Sequence, residues 1–166
     1  MTVNNNELST ANLEPNCISI AGFVSSYVKS GYRVLEHPAD IGIEATGMTL
    51  REAFQHAAEG LMSLILDVSS VEIKQSRSIE LQATDIEQLL VKWLAEILYL
   101  YDGQDFVAKD FKISELTETT IKAIVSGEKF LSSKHQTKMD VKAITYHQLE
   151  VREEKNWAYV KVFLDI

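Results

Sequence analysis

The amino-acid sequence predicts an α+β fold, in which an antiparallel or mixed β-sheet is covered by two main helices. Two segments carry apolar residues at helical spacing behind capping motifs, whereas most other segments after residue 30 alternate apolar and polar residues like strands. The predicted order is β-β-α-β-α-β-β-β-β. With 46% apolar residues in a chain of 166, we expect one domain over residues 31–166, preceded by a polar N-terminal extension over residues 1–30.

Two short strands open the predicted domain. Residues 32–36 and 41–45 alternate in hydrophobicity, which is typical of half-buried strands. Residues 37–40 form a predicted loop, because Pro38 has no N–H for strand pairing and restricts the residue before it. This loop ends at Asp40, so an acidic side chain stands directly before the second strand.

Both helices are predicted from their first turns. Thr49 with Glu52, and Thr84 with Glu87, have the spacing of capping boxes, in which the two side chains satisfy free N–H groups. The second box opens residues 89–101, which are apolar almost all round and indicate a helix covered on several sides.

Four strands are predicted in the second half, with a polar loop at residues 131–140 between the second and third. The strands span residues 106–116, 119–130, 141–151 and 157–164. One face of the last strand is wholly apolar and is expected to lie in the core. That face is formed by Ala158, Val160, Val162 and Leu164.

Charge and composition exclude several classes of function. The chain has 16 Lys and Arg residues against 24 Asp and Glu residues, a formal net charge of −8. Because nucleic-acid backbones are held by clustered cations, we expect no direct nucleic-acid binding, and a cation or a basic protein as partner. The single cysteine, Cys17, excludes an internal disulfide and a multi-cysteine zinc site. Neither a membrane-spanning run nor a secretory signal is recognisable, so a cytoplasmic protein without membrane association is expected.

Three acidic oxygen groups form a candidate cation site. The sequence ends on the apolar last strand with Asp165 and Ile166, which brings a side-chain carboxylate and the α-carboxylate close together. Asp40 completes this cluster if the opening strands lie beside the last strand. Hard divalent cations take such oxygens as ligands, with water filling vacant positions. The alternatives are an Asx turn at Asp40 and an ordinary solvated acidic end.

A second candidate region holds lysine and histidine. Lys134 and His135 lie in the polar loop, close in sequence to Glu128, and Lys142 follows on the next strand. A histidine near lysine and glutamate can support proton transfer, and Lys142 can balance the charge of a carboxylate cluster. By composition alone, however, a solvated surface loop is expected here, and no Ser or Cys lies in a nucleophile motif.

Six segments together resemble the archease family, in consistent order from about Tyr32 to Ile166. They are residues 37–42 (HPADIG), 49–54 (TLREAF), 93–100 (WLAEILYL), 127–128 with 133–135 (GE and SKH), 141–147 (VKAITYH) and 164–166 (LDI). Each segment alone is a weak signal, whereas their shared order is specific. Pro38 stands where the family usually has threonine.

The resemblance implies a fold related to strand–helix–strand–strand modules and a role as cofactor of an RtcB-type RNA ligase. Such a protein promotes GTP-dependent guanylylation of the ligase, and thereby multiple turnover, in tRNA splicing and RNA repair, without being an enzyme itself. The family's divalent cation, seen as calcium with Mg²⁺ or Mn²⁺ as alternatives, corresponds here to Asp40, Asp165 and the main-chain carboxylate of Ile166. By similarity, Lys134 and Lys142 are further candidates for function, with His37 and His135.

Three other functions remain open from the sequence. The first is a chaperone-like adaptor that modulates the solubility or specificity of an RNA-modifying enzyme such as a tRNA methyltransferase. The second is a metal-dependent hydrolase, although the chain offers no evident base or nucleophile beside the carboxylates. The third is a binding module whose acidic surface holds no metal.

Overall fold

Two helices pack against two antiparallel sheets in the computed structural model, which describes residues 30–36 and 41–166. Apart from one 3₁₀ turn (Val68–Ser70), the elements follow the predicted order. They are β1 (Gly31–Glu36), β2 (Ile41–Gly47), α1 (Leu50–Ile65), β3 (Gln75–Gln82), α2 (Ile86–Gln104), β4 (Phe106–Leu116), β5 (Thr120–Lys129), β6 (Ala143–Glu154) and β7 (Trp157–Asp165). The α+β class is therefore confirmed. The predicted extension lies outside the described residues except for Ser30, and so does the predicted loop at residues 37–40.

Helix α1 begins at the first predicted capping box. The Glu52 N–H donates to Thr49 Oγ1 at 3.3 Å, and Glu52 Oε2 accepts from the Met48 N–H at 2.8 Å. These two bonds satisfy N–H groups that the helix itself cannot pair. The apolar face of the helix is buried through Ile65, which confirms the predicted helical periodicity.

Helix α2 begins one residue later than its capping motif predicts. Asp85, and not Thr84, is the N-cap, since Asp85 Oδ1 accepts from the Gln88 N–H at 2.7 Å. The Thr84 hydroxyl donates to the other Asp85 oxygen at 2.9 Å and so orients the carboxylate. The helix ends at Gln104, and Asp105 closes it in the left-handed region with φ 51°.

The strands form two sheets where the sequence predicted one. The first has the order β1-β2-β7-β6 and the second β3-β5-β4, with all neighbours antiparallel. Helix α1 contacts β2 and β7 of the first sheet as well as β4 of the second, so it lies between the two sheets. The alternation of apolar residues alone does not distinguish the strands of one sheet from those of the other. Among the described elements, neither helix is long and apolar enough to cross a membrane.

The pairing of β2 with β7 places the start of β2 beside the end of β7. Ile41 lies opposite Leu164, and the register continues without a shift to Gly47 opposite Ala158. The predicted core face of β7 is confirmed, because Ala158, Val160, Val162 and Leu164 are all fully buried.

Candidate functional site

The first candidate site lies where β2 begins and β7 ends. Leu164 is paired with Ile41 of β2 on one side and with Ile144 of β6 on the other. Both neighbouring strands hold the end of β7 in the sheet, so Asp165 and Ile166 lie at the end of an anchored strand. Both residues are exposed.

Lys142 is bonded to this end of β7 by its main chain and its side chain. Its N–H donates to the main-chain oxygen of Asp165 at 2.8 Å, and its Nζ donates to the main-chain oxygen of Ile166 at 2.9 Å. The sequence left open whether Lys142 faces the carboxylates or solvent, and here its side chain reaches the end of β7. The ammonium thus orients the main-chain oxygen of Ile166.

The oxygens at this end suit a hard cation only in part. A carboxylate and main-chain oxygens are ligands that Ca²⁺ and Mg²⁺ accept. Within residues 30–36 and 41–166, however, no cluster of three or more His, Cys, Asp or Glu residues has the geometry to hold a metal ion. The predicted ligand Asp40 lies outside the described residues, as does His37. A cation at Ile166 would also share that oxygen with the Lys142 ammonium, whose charge weakens cation binding.

A second cluster surrounds Glu128, at the end of β5. Its carboxylate is buried and receives four donors. Oε1 accepts from the Glu72 N–H at 2.7 Å, from Lys134 Nζ at 2.5 Å and from His135 Nε2 at 3.3 Å, whereas Oε2 accepts from Lys74 Nζ at 2.9 Å. Both ammonium groups also bond Glu72 Oε2, at 2.7 Å from Lys134 and 2.6 Å from Lys74. The cluster therefore joins the loop after β5 to the segment before β3.

The hydrogen bonds of His135 define its tautomer. The Leu131 N–H donates to Nδ1 at 3.0 Å, so Nδ1 is an acceptor and the ring proton lies on Nε2, which donates to Glu128. The ring is 2% exposed and packs on Phe130, with 5.7 Å between ring centroids. The expectation of a solvated loop is therefore wrong for His135, because its polar atoms find partners inside the protein.

Charge in this cluster favours fixed ion pairs over proton transfer. Hydrogen bonds from Lys134 and Lys74 hold the pKa of the Glu128 carboxyl well below its usual range. The same contacts, with Glu128 first and Glu72 next, raise the pKa of Lys134. Lys134 is thus held as an ammonium ion, which disfavours a role as base or nucleophile. The arrangement anchors residues 131–142, the segment that leads to Lys142.

The structure thus divides the predicted residues between two places. Lys142, Asp165 and Ile166 lie together at the end of β7, whereas Lys134 and His135 converge on Glu128. Sequence reasoning missed the partners Glu72 and Lys74. The alternation of apolar residues predicts a strand over residues 71–83, but β3 begins only at Gln75. No local pattern identifies these partners, because the Glu72 N–H reaches a carboxylate 56 residues further along the chain.

Comparison with known proteins gives one consistent result. Residues 32–166 match the model of the archease protein family (MTH1598/TM1083). The chain is 37% identical over 139 residues to protein archease of Methanosarcina acetivorans, covering 81% of this chain and 95% of that protein. It is 40% identical over 139 residues to protein archease of Pyrobaculum neutrophilum, with the same coverage.

Two solved structures share the fold. The solution structure of Methanobacterium thermoautotrophicum protein 1598 superposes with a TM-score of 0.69 at 29% identity, over 82% of this chain and 99% of that one. The crystal structure of an archease, described as a possible chaperone, from Thermotoga maritima gives a TM-score of 0.50 at 16% identity, over 80% and 94% of the two chains. The second likeness concerns the fold alone.

Proposed function

The chain belongs to the archease family, and on that premise we propose that it activates an RtcB-type RNA ligase without catalysing a reaction itself. In this role it promotes guanylylation of the ligase by GTP and so permits multiple turnover in tRNA splicing and RNA repair. The domain that does so is proposed to span residues 31–166, and the protein is proposed to act in the cytoplasm.

The pairing of Ile41 with Leu164 is the observation that carries this proposal. Asp40 precedes Ile41 and Asp165 follows Leu164, so both acidic residues are one peptide unit from the same cross-strand pair. Consecutive Cα atoms are about 3.8 Å apart, so the sequence puts both residues next to the same end of the β2–β7 ladder. This supports a shared cation held by Asp40, Asp165 and the main-chain oxygen of Ile166.

A divalent cation there, calcium in the proposal with Mg²⁺ or Mn²⁺ as alternatives, supplies a positive charge that orients anionic oxygens. The protein's own residues do the rest. Lys142 positions the main-chain oxygen of Ile166 through its 2.9 Å hydrogen bond, and the anchored end of β7 keeps Asp165 exposed to a partner. His37, in the same segment as Asp40, is proposed to contribute by similarity.

Lys134 and His135 are proposed to act through position. Their bonds to Glu128 fix the start of the segment that ends at Lys142. The Asp67 N–H donates to the Gln136 main-chain oxygen at 2.9 Å, which holds the middle of that segment. The segment therefore delivers Lys142 to the acidic end in one defined register.

The net charge of −8 supports a protein partner with a basic surface, such as an RNA-binding enzyme. Opposite charges speed the encounter of two proteins and weaken as salt screens them. The same charge argues against direct contact of this chain with RNA.

The experiment compares ligase guanylylation and turnover with the wild-type chain and with Asp40→Asn, Asp165→Asn and Glu118→Gln. Glu118 is a matched control: it is exposed, also loses one negative charge, and lines a cleft with Thr49, beyond the other end of β2. The two aspartate variants are expected to lose stimulation by at least about tenfold, because each removes an anionic ligand. Glu118→Gln is expected to stimulate normally.

Wild-type stimulation by both aspartate variants would contradict the proposal. If such variants still supported the ligase, but only in stoichiometric amounts, the adaptor function would replace it. A pull-down from the native cell that recovers an unrelated enzyme and no ligase would also count against it.

A further inference from the structure

An open cleft of about 690 Å³ lies between helix α1 and the edge of the first sheet, at the opposite end of β2 from Asp165. The start of β1, the end of β2 and the middle of α1 form its walls. Its side chains are a mixture of aromatic rings and charged groups: Tyr32, Arg33, Glu44, His56, Glu59 and Tyr159. Neither the proposed cation site nor the Glu128 cluster uses this cleft.

Glu59 is the unusual group in the cleft. It is partly buried and also lines a neighbouring cavity of about 220 Å³, so its carboxylate stands between two open spaces. Over the described part of the chain it has no hydrogen-bond or ion-pair partner. Burial raises the pKa of the carboxyl, His56 offsets part of this rise, and the nearby Asp110 adds to it. A partly buried carboxylate in this position gains from a cation that binds beside it.

The neighbouring cations are already engaged. The Arg33 guanidinium is paired with Glu44, whose other oxygen accepts from the Tyr159 hydroxyl at 2.7 Å. Lys109 lines the smaller cavity beside Glu59, and its ammonium group donates a hydrogen bond to the Val71 carbonyl oxygen at 2.6 Å. Neither positive side chain therefore neutralises Glu59.

His56 adds a second acceptor. Its Nδ1–H donates to the Thr46 carbonyl oxygen at 2.7 Å, which leaves Nε2 as the acceptor of the neutral ring. His56 and Glu59 are three residues apart on α1, so they share one face of the helix. Tyr32, which is 40% exposed, presents its ring to the same cleft.

We propose that this cleft binds the arginine side chain of a basic protein partner. A guanidinium offers five N–H donors in a plane, which matches the carboxylate of Glu59 and the free nitrogen of His56. The same planar cation stacks on aromatic rings such as Tyr32. The net charge of −8 provides the complementary field for such a partner. The inference goes beyond the proposed function, since it needs neither a metal ion nor a ligase.

The test is a nuclear magnetic resonance titration of the full chain with the peptide acetyl-Gly-Arg-Gly-amide. A matched peptide carries citrulline, which keeps the shape of arginine but replaces the guanidinium by a neutral urea. We expect saturable shifts at Tyr32, His56 and Glu59 with the arginine peptide, and binding of the citrulline peptide weaker by about tenfold or more. Glu59→Gln is expected to weaken arginine binding by at least about fivefold, whereas Glu118→Gln leaves it unchanged.

Several results would overturn the inference. Equal binding of the two peptides would exclude recognition of the guanidinium, and this arm needs no variant that must fold. Shifts that spread over all acidic residues without saturation would show nonspecific charge attraction. Lys29 directly precedes the cleft residue Ser30 in the sequence, so its replacement tests whether the chain itself supplies the cation. If Lys29→Ala shifted the Tyr32 and His56 signals and tightened peptide binding, the occupant would be this chain and not a partner.

Discussion

Replacing Leu164 with alanine tests whether the end of β7 is anchored as the functional proposal requires. Leu164 is fully buried and lies between Ile41 of β2 and Ile144 of β6. Leucine-to-alanine changes in such positions cost about 2–5 kcal/mol, because burial is lost and a cavity is left. In a domain of this size each kcal/mol lowers Tm by roughly 3–4 °C, so we expect a fall of about 6–20 °C.

Thermal and urea unfolding, followed by circular dichroism, measure this change. Leu131→Ala is the matched control, since Leu131 is 49% exposed and its replacement is expected to cost at most about 0.5 kcal/mol. The urea m-value is expected to stay the same in both variants, because the surface exposed on unfolding hardly changes. A Leu164 variant as stable as the Leu131 variant would refute the packing of β7 on which the site depends.

Three further changes have defined outcomes. Gly127→Ala places a Cβ 1.9 Å from the Val107 main-chain oxygen, so the free energy of unfolding should fall by about 3 kcal/mol or more. In the control Gly103→Ala, the new Cβ meets the exposed ring of Tyr99, which can move, so this change should be neutral or stabilising. The lowered pKa of Glu128 stabilises the folded state above the ordinary value of 4.5, and this stability is lost as the pH falls below that value. The difference in unfolding free energy between wild type and Glu128→Gln should therefore shrink from about pH 6 to pH 3. A difference that stayed constant over this range would contradict the argument. Burial and the hydrogen bond to Glu44 raise the pKa of Tyr159. Tyr159→Phe should therefore lower the unfolding free energy by about 1 kcal/mol at neutral pH, and this difference from wild type should disappear as the pH rises past the ordinary value of 10.0. A difference that grew above about pH 10 would contradict the argument.

Features that depend on neighbours in sequence were predictable. The bond from the Glu52 N–H to Thr49 is set within one helical turn, and the alternation of Val160 and Val162 reflects the pleat of a strand. The same local logic fails by one residue at α2, because Thr84 and Asp85 are both good N-caps and the carboxylate takes the position.

Features that depend on residues far away in the sequence could not be predicted. The division into two sheets follows from how α1 packs, and alternation carries no information about which strands pair. Likewise the composition of residues 131–140 indicates a solvated loop, yet His135 is buried because Glu128 and the Leu131 N–H supply its partners. The segment before β3 leaves its predicted strand for the same reason, since Glu72 bonds Glu128.

The candidate site lies between these two cases. The sequence made the site conditional on the opening strands lying beside the last strand, and the pairing of Ile41 with Leu164 meets that condition. It left open whether Lys142 faces the acidic end, where the structure places a hydrogen bond from Lys142 to Ile166. The ligand set itself stays a prediction, because Asp40 lies outside the described residues.

Calcium titration of the full chain by calorimetry, with Asp40→Asn and Asp165→Asn beside the wild type, tests the central claim most directly. A shared site predicts one ion per chain and an affinity that falls by at least about tenfold in each variant, since hard cations are bound through anionic oxygens. Wild-type affinity in either variant would contradict the claim that the start of β2 and the end of β7 hold one ion between them.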